Sequence, residues 1–538
     1  MAIAAVLGTC GSALAFEIPT GNEDVVIHWD NTLRYTLAQR LKGQSKDIVG
    51  SVNQDDGDRN FDVGIVSSRV DLLTEADVVY KNDFGVRLSA AAWYDPVYRA
   101  GLDNRSVGTS NHFENGGQSL GLNKYTKRRF AGLDAELLDA FAFAKVDAGD
   151  VPINMRVGRH TIYWGEAFFP AAGSNGISYG QSPIDMAKAL AMPGVELKEI
   201  FRPLNQVSVQ VQPTKELTIA GQYYMQWESN IFPEGGSYLG MVDGFLNGGE
   251  AFLFPGGPVF NGGDHTPRQA RDYGIKVAYT PEWLSGGTVA LHYRNFSDKM
   301  PQVLMDGTGF HYDYKSNINL YGISFAKQVM GISVGSEFSY RENMPLTSQW
   351  FAPAGARGDT MHAVLNFLTL LPKTPLFDTG SAILEFAYGR WNHVSEHPEF
   401  FTGLHGTNIF GGPTNVGVGH ATRDNSTVTV NLVPEWKQVL PGVDLAMPLN
   451  FSVGMHGNAA TLTGGTEGTG SYSAGLSLDV FAKYKIDLTY ASFFGRVHPD
   501  ATGQVLPPGL EGAGQGAADA IALLRDRDML TLTLKATF

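Results

Sequence analysis

The run Asp526-Arg527-Asp528-Met529-Leu530-Thr531-Leu532-Thr533-Leu534-Lys535-Ala536-Thr537-Phe538 decides how the rest of the sequence is read. Leu530, Leu532, Leu534, Ala536 and Phe538 share one parity, and Thr531, Thr533, Lys535 and Thr537 share the other. Side chains alternate across a strand, so this segment has one apolar and one polar face. An edge strand of a soluble sheet can look like this. A strand with lipid on one side and water on the other must.

The same pattern recurs upstream. Val25, Ile27, Trp29, Leu33, Tyr35 and Leu37 alternate with His28, Asp30, Thr32, Arg34 and Thr36. The clearest hairpin sets Ser68, Val70, Leu72, Ala76, Val78 and Tyr80 against Arg69, Asp71, Glu75 and Asp77. It turns at Lys81-Asn82-Asp83 and returns through Phe84, Val86, Leu88, Ala90, Ala92 and Tyr94, since Asn/Asp turns join adjacent antiparallel strands. Further tight turns are expected near 149–150, 213–216, 281–286, 328–331, 372–380, 434–448 and 483. Between them lie long polar or Gly-rich excursions near 40–61, 96–136, 163–205, 229–271, 297–316, 342–360, 393–422, 457–471 and 496–527. Short turns on one side and long loops on the other characterise outer-membrane barrels. The expected fold is therefore all-β: a transmembrane antiparallel β-barrel of roughly eighteen strands with long extracellular loops. Bacterial barrels end on such a strand with an aromatic residue, so Phe538 is expected to be the signal read by the barrel assembly machinery. Tyr80 with Phe84, Tyr223 with Trp227, Tyr279 with Trp283, Tyr388 with Trp391, and Phe481 with Tyr484 suit two interfacial girdles.

Composition agrees with one large barrel in the outer membrane of a Gram-negative bacterium. Of 538 residues only 17% are charged, 64 are Gly, aromatics reach 11%, and the mean hydropathy of -0.11 is near neutral. No linker-like composition shift divides the chain. Residues 1–15 resemble a secretory signal peptide lacking the usual basic start, with Ala13-Leu14-Ala15 before Phe16. Residues 16–538 then form a single barrel domain. Cys10, the one cysteine, would leave with the signal, removing disulfides and thiol catalysis. A net charge of -14 argues against nucleic acid as a partner.

The stretch from Arg156 to Arg202 breaks the rhythm. It begins as a strand with Asn154, Arg156, Gly158 and His160 on the inward parity and Ile153, Met155 and Val157 facing lipid. After Trp164-Gly165 come a Gly/Ser/Asn coil, a short helix opened by Ser182-Pro183 and closed near Met192-Pro193-Gly194, and a charged tail. Residues 163–205 read as a segment folded into the lumen. Arg156, His160, Glu166, Asp185, Lys188, Glu196, Lys198, Glu199 and Arg202 are the expected plug or gating set, since opposite charges there would pair and pin it to the wall. The excursion from Ser229 to Gly263 is unusually apolar. Phe245, Leu246, Phe252, Leu253 and Phe254 in it either pack inward and close the mouth or form an apolar substrate loop.

Asp55 to Phe61, Arg156 to Arg202, Ser339 to Leu346, Pro434 to Leu445 and Asp526 to Phe538 together resemble a proteobacterial outer-membrane family catalogued as domain of unknown function 1302. The resemblance covers essentially the whole mature chain. It implies a barrel associated with a periplasmic or lipoprotein partner and a resistance-nodulation-division type inner-membrane transporter. It also implies a genetic setting of lipid, steroid, terpene or aromatic-compound use.

Chemistry is sparse. Gly176-Ile177-Ser178-Tyr179-Gly180 and Gly331-Ile332-Ser333-Val334-Gly335 match a nucleophile-elbow pattern, but the elbow needs a strand-to-helix turn in another fold. No phosphate-cradling loop and no Cys/His metal spacing is present, so no catalytic residue, cofactor or metal is expected. Asn53 to Asp58 does not fit a calcium loop and reads as a solvated acidic loop. Lys124, Lys127, Arg128 and Arg129 form the one basic cluster, suited to outer-membrane lipids and lipopolysaccharide phosphates. The reading is a channel for hydrophobic or amphipathic small molecules, working with transport partners. A general diffusion porin for polar solutes and a non-conducting docking barrel for an inner-membrane complex are the alternatives.

Overall fold

A computed structural model describes residues 16–99, 101–192, 194–246, 248–404, 420–499, 505, 516–517 and 520–538. Residues 1–15, on which the expected signal peptide falls, lie outside the described residues, as does Pro193 of the expected plug.

The barrel strands are β1 Val25–Arg40, β2 Gly64–Tyr80, β3 Phe84–Tyr94, β4 Gly132–Ala148, β5 Val151–His160 and β6 Leu204–Val211. There follow β7 Leu217–Tyr224, β8 Tyr273–Tyr279, β9 Thr288–Phe296, β10 Ile318–Val329, β11 Ile332–Pro345 and β12 Arg357–Leu371. The last are β13 Thr379–Glu396, β14 Asp424–Leu440, β15 in two pieces, Val443–Ala446 and Leu449–His456, β16 Gly470–Val480, β17 Tyr484–Phe494 and β18 Met529–Thr537. Each pairs antiparallel with its sequence neighbours, and β18 returns to β1 with Thr32 opposite Thr537 and Arg40 opposite Met529. Closure leaves the sheet no free edge, which an open sheet in lipid could not tolerate.

Parity sorts the faces as the alternation requires. Leu33, Val70, Leu72, Leu88, Ile275, Leu291, Phe338 and Leu534 point outward and are exposed, forming an apolar belt for lipid. Their neighbours Arg34, Asp71, Glu337 and Lys535 take the opposite face. Tyr80, Phe84, Tyr279, Trp283, Phe481 and Tyr484 lie exposed beside the short turns. Trp227 departs from the expected girdle: it is buried among the outer loops, where its indole N–H donates to the Asp298 carbonyl at 3.2 Å.

Turn chemistry fixes the registers. Met330 and Gly331 both take positive φ, 51° and 84°, between the paired Val329 and Ile332, the geometry of a two-residue hairpin turn. The turn expected across 434–448 is narrower than its bounds. β14 runs to Leu440, turns at Pro441-Gly442 and pairs again at Val443, with the register slip beside Gln438 absorbing the irregularity. Pairing bridges the prolines at both ends, since the Met447 N–H donates to the Pro434 carbonyl and the Gly475 N–H to that of Pro448.

Phe538 lies at the seam. Its backbone exchanges two 2.9 Å hydrogen bonds with Asn31 of β1, and its ring is exposed. The short strand Phe16–Ile18 continues along the same edge of β1, with Phe16 opposite Trp29.

Candidate functional site: the lumen and its outer cap

The chain enters the lumen where β5 ends. His160 is buried and fixed, with Nδ1 3.0 Å from the Gly158 carbonyl and Nε2 2.9 Å from Ser208 Oγ. Gly165 then brings the backbone against β11: its φ is +112°, and a Cβ there would sit 2.7 Å from Glu337 Oε2. Only glycine suits both the angle and the approach.

From Glu166 to Gln181 the wall grips the backbone rather than the side chains. The Glu337 carboxylate accepts N–H bonds from Glu166, Ala167 and Ile177 at 3.3, 3.1 and 3.0 Å. Glu385 of β13 accepts from Phe168 and Phe169 at 2.6 and 2.9 Å. Arg341 of β11 donates to the Ser174 and Gly176 carbonyls at 3.0 and 2.8 Å. Arg294 of β9 donates to those of Ile177 and Tyr179 at 2.9 and 2.7 Å. Apart from the single turn of helix at Pro170–Gly173, this stretch is irregular and leaves peptide groups without backbone partners, and these inward charges satisfy them. The four charged side chains are buried, and the Arg341 guanidinium also stacks 4.5 Å from the Tyr179 ring centre.

The second half crosses the lumen. Asp185 caps the helix Met186–Ala191 by accepting the Lys188 N–H at 2.9 Å. Val195, Leu197, Ile200 and Phe201 pack with Tyr163 into a small core. Gly194, at a φ of +90°, lies so close to Asn450 of β15 that a Cβ there would collide with the Asn450 side chain.

The expected charge set is dispersed. Arg202 pairs with Glu136 and, at 2.8 Å, with Glu228, in a network that Arg159, Arg129 and Asp185 complete. Lys198 pairs with Glu196 at 2.9 Å inside the segment, and Lys188 Nζ donates to the Glu199 carbonyl. Arg156 lies over the Phe141 ring, exposed to the lumen. Glu166 makes no ion pair among the described residues; burial and the nearby Glu337 carboxylate raise its pKa to about 7. Sequence reasoning missed the principal anchors Arg294, Glu337, Arg341 and Glu385. The available signal was charge at inward parity in mid-strand, with Glu337 and Arg341 alternating with Phe338 and Tyr340.

The opposite wall is wet. On β1–β4, Arg34 pairs with Asp71 at 3.3 Å, and Arg87 pairs with Glu75 and Asp139. Arg34, Glu75 and Arg87 keep 33, 33 and 34% of their side-chain area exposed, whereas Glu337 and Glu385 are 5 and 1% exposed. The open part of the lumen therefore runs along β1–β4.

Outer loops cover the barrel end. Phe252 lies 4.8 Å from Phe310 and 5.1 Å from Phe351 between ring centres, Phe254 packs on Phe351, and Phe245 stacks on Trp350 at 5.6 Å. Leu246 is buried, and Leu253 is held at its backbone by the Asn53 side chain. These residues pack against neighbouring loops: Leu246 and Phe252 are buried, while Phe245, Leu253 and Phe254 are half-buried and Phe260 stays exposed at the edge.

The acidic loop is also corrected. Asp55, Asp56 and Asp58 are buried, because partners far along the chain meet them: Asn111 and Asp243 beside Asp56, Arg40 and Arg527 beside Asp58. Burial and the Asp55 charge push Asp56 up to about 7, burial raises Asp243 well above the carboxylate range, and burial raises Glu234 to about 8. Acids raised in the folded state bind protons more tightly there than when unfolded. Their stabilisation is complete below about pH 4 and is lost as pH rises through 7 to 8. Limited proteolysis of the outer loops is thus expected to be slower at pH 5.5 than at pH 8.5; equal rates would refute the assignment.

The basic cluster divides. Arg129 turns inward to Glu136 and Asp185, and Arg128 pairs with Asp134 at 3.6 Å. Lys127 and Arg128 join Arg99 and Arg105 around a pocket of about 640 Å³ floored by Tyr98, Leu102, Leu120 and Leu122.

A closed antiparallel barrel, apolar outside and polar within, with its own chain folded through the lumen, defines a transmembrane β-barrel. The chain belongs to the family described as "Protein of unknown function (DUF1302)", whose model matches residues 1–538. No curated protein matches it in sequence. Among solved structures it is similar to Pseudomonas aeruginosa OpdK with vanillate, at 10% identity and a TM-score of 0.40, covering 96% of this chain and 99% of that one. Acinetobacter baumannii OccAB1 gives 9% identity and a TM-score of 0.42 over 95% and 96% of the two chains. The A. baumannii channel DcaP gives 8% and 0.36 over 96% and 97%.

Proposed function

We propose that this barrel is an outer-membrane channel for amphipathic small molecules with an apolar body and an anionic head, closed in this conformation by residues 161–203 and the loop cap. The pocket on the 95–131 loop carries the proposal. Its volume of about 640 Å³ lies within the range of small-molecule sites. Four cations ring an apolar floor, and the loop rises from β3 and β4, above the wetted side of the lumen. Phosphates of lipopolysaccharide would meet the same cations. No nucleotide motif is present, so directional transport would draw on periplasmic and inner-membrane partners.

The test compares binding of a long-chain fatty acid with that of its alcohol to the folded barrel. The parent should prefer the acid. Arg99→Ser with Lys127→Ser should weaken acid binding by about tenfold, the sum of two exposed charge contacts of ~0.7 kcal/mol each, and leave the alcohol unchanged. Equal affinity for acid and alcohol in the parent would remove the anionic head from the proposal.

A further inference from the structure

His265, Asp306 and His311 lie at the outer end, away from the plug and the pocket. His265 belongs to the loop 225–272, while Asp306 and His311 belong to the hairpin Gln302–Asp306 and Gly309–Asp313 in the next loop. Backbone bonding sets them side by side: the His265 N–H donates to the Tyr312 carbonyl at 2.8 Å, and the Tyr314 N–H donates to the His265 carbonyl at 3.0 Å.

One ligand atom from each of the three side chains lies within 4.8 Å of the others. The two imidazole rings stand 4.0 Å apart between centres. His311 is 7% exposed at its side chain, and its buried Nδ1 has no hydrogen-bond partner among the described residues. Asp306 comes no nearer to it than 3.9 Å, and Asp313, 3.8 Å from His265, is already held by Lys315 at 3.0 Å. A buried, unpartnered imidazole nitrogen costs free energy unless something fills the gap. Ligand atoms about 2.1 Å from one ion stand roughly 3.4–4.2 Å apart, so the three side chains would close by about 1 Å from the 4.8 Å limit of their spread.

We propose that His265, Asp306 and His311 bind a divalent transition metal of the zinc class, which staples the 225–272 loop to the 302–313 hairpin. Two imidazoles and one carboxylate favour Zn²⁺, Co²⁺ or Ni²⁺ over the oxygen-seeking Ca²⁺ and Mg²⁺. Three protein ligands leave a coordination position for water. No sequence motif shows the site, because His265 and His311 meet only through loop packing.

The test is calorimetric titration of Zn²⁺ into chelator-treated, folded full-length barrel, with Co²⁺ absorption reporting coordination. The parent should bind one equivalent. His265→Ala, on a mostly exposed side chain that the fold can spare, should weaken binding by about 100-fold or more, since losing even an outer-shell partner costs up to that. Asp306→Asn should weaken it too, and Zn²⁺ should slow proteolytic cleavage of the 225–272 loop in the parent alone. No stoichiometric binding, or parent-like binding by His265→Ala, overturns the proposal. Several weak equivalents in both proteins overturn it as well.

Discussion

Removing Gly173 to Lys198 should turn a closed barrel into a conducting one, raising single-channel conductance in a planar bilayer about tenfold or more over the parent. The deletion takes out the stretch that Arg341, Arg294 and one bond from Glu337 hold, together with the helix that crosses toward Asn450. What remains is a lumen walled by charged side chains, and barrels of this strand number leave an aqueous channel when nothing fills them. A gentler variant guards against misfolding by the deletion. Glu337→Gln with Glu385→Gln keeps the side-chain shape but replaces charge-assisted acceptors of five backbone N–H groups with neutral ones of about half the strength. It should show brief openings that the parent lacks. If neither variant, shown to be folded, conducts more than the parent, residues 173–198 do not block the lumen.

Asp58→Ala should cost about 3–5 kcal/mol, the largest single-residue loss of stability expected in the cap. Asp58 is fully buried between two buried guanidiniums, 2.6 Å from Arg40 and 3.1 Å from Arg527. Asp526 supplies the other carboxylate, 3.5 and 3.3 Å from the same pair. Deleting Asp58 leaves two buried cations facing one carboxylate, and desolvated charge without a counterion dominates such losses. Arg527 also donates to the Gly57 and Tyr238 carbonyls, so the damage should spread to three loops. Thermal unfolding and loop proteolysis would both report it, with cleavage in 41–63 and 225–272 appearing before barrel unfolding. A variant as protease-resistant as the parent would refute this account of the cluster.

The barrel was legible in the sequence because its determinants are local. Alternation in Ser68–Tyr94 or Leu530–Phe538 says which side chains face lipid, and pairs such as Met330-Gly331 say where the chain turns. Parity carried an unread signal for Glu337 and Arg341, which alternate with the outward Phe338. It could not say that their partners are peptide groups of residues 166–177, because those belong to a coil with no periodicity. The loops were least legible. Composition alone made Asn53 to Asp58 look solvated, since acidic residues favour water, and left Phe245 to Phe254 open between inward packing and an apolar substrate loop. Tertiary structure reversed the first, because Arg527 arrives from far along the chain to bury Asp58, and it packs Phe252 and Phe254 on the distant Phe351. Local sequence determined the strands, their faces and their turns through the two-residue period of the backbone. Only the packing of distant segments decided what fills the lumen and covers its mouth, because burial and charge pairing depend on neighbours that sequence spacing does not reveal.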